Sequence, residues 1–296
     1  MAEATNHPVN VNLWIDGDIF LYRCGFAVEK MKYLVDYMDD GVDQGYRKFD
    51  SAKEANDFAK KTQAWTVWSR REVEPVEHAL EACRQSLNRV YDKFWLTGDK
   101  WQGRIFLTGK GNFRDMIGVS KGYKDNRDPT HRPKHYRALK EYLINKHAAK
   151  VVNGEEADDA IGKLAYCDAA DKCVVVSNDK DLDQLAGWHY DWTKDHVYYV
   201  NEEDAIKFFY TQVLCGDATD NIGGVLSRAK AGARIAECQT PTDCAKAVRE
   251  AYEKKHGDEW GERVDEIAEL VWIRRSDATF PNGLHNPFWS HLHNAT

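Results

Sequence analysis

Four short acidic clusters, far apart along the chain, constrain it most: Asp16-Gly-Asp18, Glu155-Glu156-Ala-Asp158-Asp159, Asp179-Lys-Asp181 and Asp217-Ala-Thr-Asp220. The first and third directly follow apolar runs, Val11-Asn-Leu-Trp-Ile15 and Cys173-Val-Val-Val-Ser177, that read as buried strands. In an open, mostly parallel sheet, ligands sit beyond the carboxyl ends of the strands. Carboxylates delivered there from distant segments stay close only if something positive holds them. Hard divalent cations such as Mg²⁺ use oxygen ligands, and two of them side by side form a phosphodiester-cleaving centre.

Each cluster also has a plainer reading. Asp-Gly after a strand is often only a turn, and acids in the first turn of a helix offset its dipole. The dipole does not explain four carboxylates within residues 155–159, because like charges at i, i+3 and i, i+4 repel. Asp179 and Asp181 read alternatively as caps, and Asp217 with Asp220 as loop formers. One shared metal site accounts for all four placements together.

The net charge of −7 conceals an asymmetry. Residues 110–150 carry eleven Lys or Arg against four acids, whereas 153–204 carry fourteen acids against four Lys. A basic strip beside an acidic centre suits a polyanion steered towards bound metals; a solvated basic helix is the alternative. At 296 residues, with 43% apolar content, the chain is long enough for one large domain or two ordinary ones. No apolar run approaches the roughly 18 residues that span a bilayer, and the N-terminal residues lack the pattern of a secretory signal. Seven irregularly spaced cysteines without Cys-x-x-Cys fit buried thiols in a reducing cytoplasm better than disulfides or zinc.

The periodicities predict alternating elements. Val9, Val11, Leu13 and Ile15 alternate as in a strand, and residues 33–49 suit a hairpin turning at Asp39-Asp-Gly41. Val76, Ala79, Leu80, Cys83, Leu87, Val90, Tyr91 and Phe94 trace one helical face. A strand at 104–108, a helix near 134–147, and an apolar helical stripe over 157–165, with Asn153 as its cap, come next. Strands at 173–177, 188–192 and 196–200 precede a helical remainder. This alternation implies an α/β domain with a mostly parallel core, followed by a smaller helical portion. Gly109-Lys110-Gly111 is a poor match to a phosphate-binding loop. His131 and His135 lie among Arg132, Lys134 and Arg137, where a further cation is repelled.

The motifs, taken in order, resemble the flap endonuclease (5′-nuclease) superfamily, and most closely the 5′→3′ exonucleases of tailed bacteriophages. Asp16-Gly-Asp-Ile-Phe-Leu-Tyr-Arg23 resembles the N-terminal motif. Gly109-Lys-Gly-Asn-Phe-Arg114 with Tyr123-Lys-Asp-Asn-Arg127 resembles the entry to the helical arch. Glu156-Ala-Asp-Asp159, Ser177-Asn-Asp-Lys-Asp181 and Gly216-Asp-Ala-Thr-Asp-Asn-Ile222 resemble the remaining metal motifs. Residues 24–103 and the last sixty carry none.

The resemblance implies a PIN-like core, a sheet flanked by helices, over 1–200, with a helical arch at about 110–150. A duplex-binding subdomain with a helix–three-turn–helix element would occupy 201–296. It implies metal-dependent hydrolysis, releasing 5′-phosphate products, of DNA carrying a 5′ end or 5′ flap, or of an RNA–DNA hybrid, in phage replication or DNA degradation. Two Mg²⁺ or Mn²⁺ would be held by Asp16, Glu156, Asp158 and Asp159 on one side and by Asp181, Asp217 and Asp220 on the other, with Asp179 between. Arg23, Lys124 and Arg127 would act at the scissile phosphate, and Arg114, Tyr123 and Lys230 would contact DNA. The protein would be a monomer, free of the membrane.

Two positions depart from the family pattern. The acid usual at the end of the second strand is absent from Phe106-Leu-Thr-Gly109, leaving Thr108, a water or Asp18 to compensate. The hairpin that binds K⁺ in the family is shorter here and lacks its later glycines, in Gly223-Gly-Val-Leu-Ser-Arg-Ala-Lys230. The competing readings are a non-catalytic DNA-binding protein derived from this fold, favoured by the missing acid, and a PIN-type ribonuclease, disfavoured by Tyr123–Arg127 and residues 216–235.

Overall fold

The computed structural model describes residues 8–39, 42–62, 64, 66–94, 103–118, 120–126, 128, 131–168 and 172–277. They form two compact units, one made of residues 1–19, 88–131 and 143–296 and the other of 20–87 and 132–142. The 200/201 boundary expected from the sequence lies inside the first unit.

The first unit is built on a six-stranded sheet. Its strands are β1 (Asn12–Asp16), β5 (Gly103–Asn112), β6 (Lys150–Gly154), β7 (Cys173–Val176), β8 (Gly187–Asp191) and β9 (His196–Val200), in the order β6-β5-β1-β7-β8-β9. All neighbours run parallel except the β8–β9 edge pair. Leu13, Ile15, Val174 and Val176 on one face and Trp14 and Val175 on the other are all buried, as expected of strands covered on both faces. The chain leaves β1 for β5 on one side and has β7 on the other, so the topological switch point lies at the carboxyl end of β1.

Helix α6 (Ala157–Cys167) packs on β1, β5 and β7. Its cap is Glu156 rather than Asn153. The Asn153 side-chain Oδ1 instead accepts the Lys110 amide at 2.9 Å, which fastens β6 to β5. The short helix α4 (Arg114–Ile117) follows β5. The helical remainder comprises α7 (Glu202–Cys215), α8 (Arg228–Ala236), α9 (Pro241–His256) and α10 (Trp260–Val271). Asn201 starts α7 by accepting the Asp204 amide at 2.8 Å, and Thr240 with Asp243 forms a capping box on α9 around Pro241. Phe209, Tyr210, Tyr252 and Trp272 fill the core among these helices. Each such burial contributes roughly 1.5–3 kcal/mol.

The second unit carries a three-stranded antiparallel sheet, β3-β2-β4, from β2 (Glu29–Asp39), β3 (Val42–Phe49) and β4 (Thr66–Val73). The expected hairpin is present as β2 and β3, although turn residues 40 and 41 lie outside the described residues. Helix α2 (Ala52–Thr62) seats Phe58 against Tyr37 and Phe49, with ring centroids 5.0 and 5.1 Å apart. Helices α1 (Gly17–Ala27), α3 (Val76–Phe94) and α5 (Tyr136–His147) complete the elements. Of the predicted face of α3, Ala79, Cys83, Leu87, Val90 and Phe94 are fully buried, whereas Val76, Leu80 and Tyr91 are half-buried.

All seven cysteines are free thiols, five of them buried. Among the described residues, no helix is long and apolar enough to cross a membrane.

Candidate metal centre

The acidic clusters meet beyond the carboxyl ends of β1 and β7. Asp16 is the last residue of β1 and is buried. Gly17 must follow it, because a Cβ there would lie 2.7 Å from the Phe106 carbonyl oxygen of β5. The Asp16 carboxylate accepts the Asp18 amide at 3.1 Å and the Ser177 hydroxyl at 3.0 Å. Ser177 Oγ in turn accepts the Asp179 amide at 3.0 Å, tying the ends of two adjacent strands together. Asp179 accepts the Asp181 amide at 3.0 Å.

Asp158, Asp179, Asp181, Asp217 and Asp220 line one cavity of about 110 Å³ together with Glu156, Tyr123 and Lys124. The charges there are not cancelled. Burial, then Asp18 and Asp179, push the Asp16 carboxyl up to about 8. Burial, then Asp16, Asp179 and Glu156, raise Asp158 well above the carboxylate range. Burial followed by Asp179 raises Asp181 to about 7, although Lys180 opposes the shift. Asp179 is therefore the acid that acts on both ends of the cluster.

Two donors bridge the groups. The Tyr123 hydroxyl lies 3.0 Å from both Glu156 and Asp220. Lys124 ion-pairs with Glu156 and, at 3.3 Å, with Asp220. Lys124 is held in the left-handed region, with φ 56°, and its amide donates to the Asp220 carbonyl at 3.0 Å. Asn126 and Asn221 add bonds of 3.0 and 2.8 Å between the 122–126 and 217–221 loops.

Three sequence assignments change. Asp159, expected to bind metal, is fully buried, and Arg114 takes both its oxygens at 2.6 and 2.8 Å. The Glu156 and Arg274 amides complete its hydrogen bonding. Burial works to raise the Asp159 carboxyl, yet Arg114 outweighs it and holds the group below its usual range. Arg114, expected to contact DNA, is thereby a buried structural cation. Tyr123, expected to contact DNA, is 8% exposed with its hydroxyl turned to carboxylates, so it is no stacking platform. Burial, followed by Glu156, raises its phenol.

Lys230 is exposed on α8, next to exposed Arg228. Arg23 is exposed on α1, in the other compact unit. Arg127 lies outside the described residues.

The Thr108 hydroxyl accepts the first amide of α6, Ala157 N, at 3.1 Å. Its own amide donates to Asp18 at 3.0 Å. Among the described residues, no set of three His, Cys, Asp or Glu side chains has the geometry to hold a metal ion. The carboxylates are gathered around the cavity rather than converged on a point.

Sequence reasoning missed Lys180, whose ammonium is 3.6 Å from Asp181 and 3.7 Å from Asp217. It also missed Gln184 and Gln212. The signal for Gln212 was present: with Ala205, Phe209 and Val213 it falls on the buried stripe of α7, where a polar residue needs a reason.

No protein-family model matches this chain, and no curated protein does. Among solved structures, one similar chain is the bacteriophage T5 flap endonuclease in a pseudo-enzyme–product complex with DNA and metal ions. The likeness covers 66% of this chain and 90% of that one, at 15% identity and a TM-score of 0.38.

Proposed function

We propose that this chain is a metal-dependent 5′-nuclease, hydrolysing phosphodiester bonds of DNA at 5′ ends or 5′ flaps and releasing 5′-phosphate products. One observation carries the reading. Carboxylates from three separate segments line a single cavity at a sheet switch point, Asp16 from a fourth acts electrostatically on Asp158, and Lys124 and Lys180 offset only part of their mutual repulsion. Structural ion pairs neutralise their charge, as Arg114 and Asp159 do; here burial and neighbouring acids instead push the Asp16, Asp158 and Asp181 carboxyls upward.

The donor set is hard oxygen throughout, which fits Mg²⁺ or Mn²⁺. Asp16, Glu156 and Asp158 would hold one ion and Asp181, Asp217 and Asp220 the other, with Asp179 between them. When bound, such a pair supplies Lewis acidity and a more acidic water. Lys124 presents a fixed positive charge to the phosphate, where charge shifts during hydrolysis. Tyr123 keeps Glu156 and Asp220 at a fixed separation. Arg228 and Lys230 on α8 offer point contacts to a phosphate backbone, adding affinity without sequence preference.

The test is to incubate a 5′-labelled flap and a blunt duplex with Mg²⁺, Mn²⁺, Ca²⁺ or EDTA. Cleavage is expected with Mg²⁺ and Mn²⁺ and absent with EDTA. Tight binding of either substrate without cleavage under any condition would make the chain a non-catalytic DNA-binding protein. Cleavage of RNA alone would make it a ribonuclease.

A further inference from the structure

Two buried glutamines stand behind the second acidic group, and the mechanism above gives them no task. Gln212 Nε2 donates to Asp181 Oδ1 at 2.8 Å. Gln184 Nε2 donates to Gln212 Oε1 and to the Val271 carbonyl, both at 2.6 Å. Gln184 Oε1 accepts the Ile273 amide at 3.3 Å. Gln184 is wholly buried and Gln212 nearly so, at 1% exposure.

The order of donors and acceptors in this chain has one solution. A primary amide has two N–H donors at one end and acceptor lone pairs at the other. The backbone fixes Gln184: the Ile273 N–H needs an acceptor, and the Val271 carbonyl needs a donor. The second Gln184 N–H then points at Gln212, whose oxygen must face it. The Gln212 N–H₂ is left facing Asp181. Reversing either amide would oppose donor to donor in a site that water does not reach, and unmade buried bonds cost about 1–3 kcal/mol each.

The same stretch of chain supports the first acidic group. Where α10 gives way to extended backbone, residues 270–274 alternate in their attachments. The Leu270 and Trp272 carbonyls accept from Arg114, and the Arg274 amide donates to Asp159. Val271 and Ile273 bond to Gln184. One strap therefore anchors the partners of both acidic groups.

We propose that Gln212, oriented by Gln184, is a positioning residue that fixes Asp181 for cation binding in the second acidic group. The proposal rests on the metal-centre reading given above. Partners of metal-binding side chains matter because they set the direction of the ligand before the ion arrives, and losing one typically weakens metal affinity about 10–100-fold.

The full chain would be titrated with Mn²⁺ by calorimetry, without DNA. The unmodified protein is expected to take up two ions. In the double variant Gln184→Met/Gln212→Met, apolar groups of similar length replace both partners and preserve packing. One of the two Mn²⁺ steps should weaken about 10–100-fold, and Asp181→Asn should weaken the same step. The other step should stay within about two-fold. If the double variant does not fold, Gln212→Met alone carries the test, because it removes the donor to Asp181 while Gln184 keeps its bonds to Val271 and Ile273; the same step should weaken. A folded variant that binds both ions as the unmodified protein does would reduce the glutamines to core packing and overturn the proposal. Absence of Mn²⁺ uptake by the unmodified protein would instead sink the metal-centre reading, and this proposal with it.

Discussion

Arg114 and Asp159 form a two-pronged ion pair, Nη1 to Oδ2 at 2.6 Å and Nη2 to Oδ1 at 2.8 Å, with neither side chain more than 4% exposed. Removing one member of a buried pair leaves the other charged and unsolvated, at a cost of about 3–5 kcal/mol. Arg114→Leu and Asp159→Asn should each lower unfolding free energy by that order in denaturant titrations. Unchanged stability with lost DNA affinity in Arg114→Leu would return Arg114 to the DNA interface.

Lys124 combines a candidate catalytic charge with a strained backbone, at φ 56°. Left-handed backbone costs a residue with a Cβ about 1–2 kcal/mol. Lys124→Ala and Lys124→Gly should both slow single-turnover cleavage on the order of 10²-fold, with DNA affinity nearly kept. The glycine variant should be at least as stable as the alanine one. A greater thermal stability for Lys124→Ala would show that the strain is not felt.

Much of the first unit's fold was legible because its strands are buried on both faces and its helices carry clear stripes. The β1, β7, β8 and β9 strands and the buried face of α3 fall where periodicity placed them. Strand β4 was not legible, since Thr66–Val73 is mostly exposed and lacks the alternation that a one-sided core imposes. At the site, motif spacing located the acids but could not distinguish those facing the cavity from Asp159, one position beyond Asp158. That distinction depends on Arg114, forty-five residues earlier, and on a strap more than a hundred residues later.

Asp16 and Asp181 give the metal-free protein a pH dependence of definite sign. Their folded pKa values, about 8 and about 7, lie above those of unfolded aspartate. The stability they contribute is fully present below about pH 4, the unfolded value. It is lost progressively as pH rises through 7 and 8. Thermal unfolding in EDTA should therefore show a midpoint that falls between pH 5 and pH 8. Mg²⁺ should raise the midpoint more at pH 8 than at pH 6, because ions compete with protons for these oxygens. A Mg²⁺ effect independent of pH would separate these acids from the metal.

Asp179 raises the pKa of Asp16, Asp158 and Asp181 alike. Asp179→Asn keeps an oxygen to accept the Asp181 amide but removes the shared charge. It should stabilise the metal-free protein at pH 8, weaken both Mn²⁺ steps and reduce cleavage by on the order of 10²–10³. Duplex affinity in Ca²⁺ should stay within a few-fold. Near-normal turnover would remove Asp179 from the centre.

Thr108 and Gly109 lie on β5 beside the start of α6, and the structure separates their tolerance of an acid. At Gly109 a Cβ would overlap the Val152 carbonyl oxygen and the Asn153 side chain. The obstacle there is space between β5 and β6. Gly109→Asp should therefore unfold at lower temperature and lose activity with stability. At Thr108 the side chain already reaches the first amide of α6. A carboxylate can accept the same hydrogen bond, and the helix N-terminus favours its charge by about 0.3–1 kcal/mol. Thr108→Asp should fold, and should lower the Mg²⁺ concentration giving half-maximal cleavage. If Asp18, bonded to the Thr108 amide, already supplies the missing oxygen, the added acid will leave that concentration unchanged. In that case Asp18→Asn in the unmodified background should raise it.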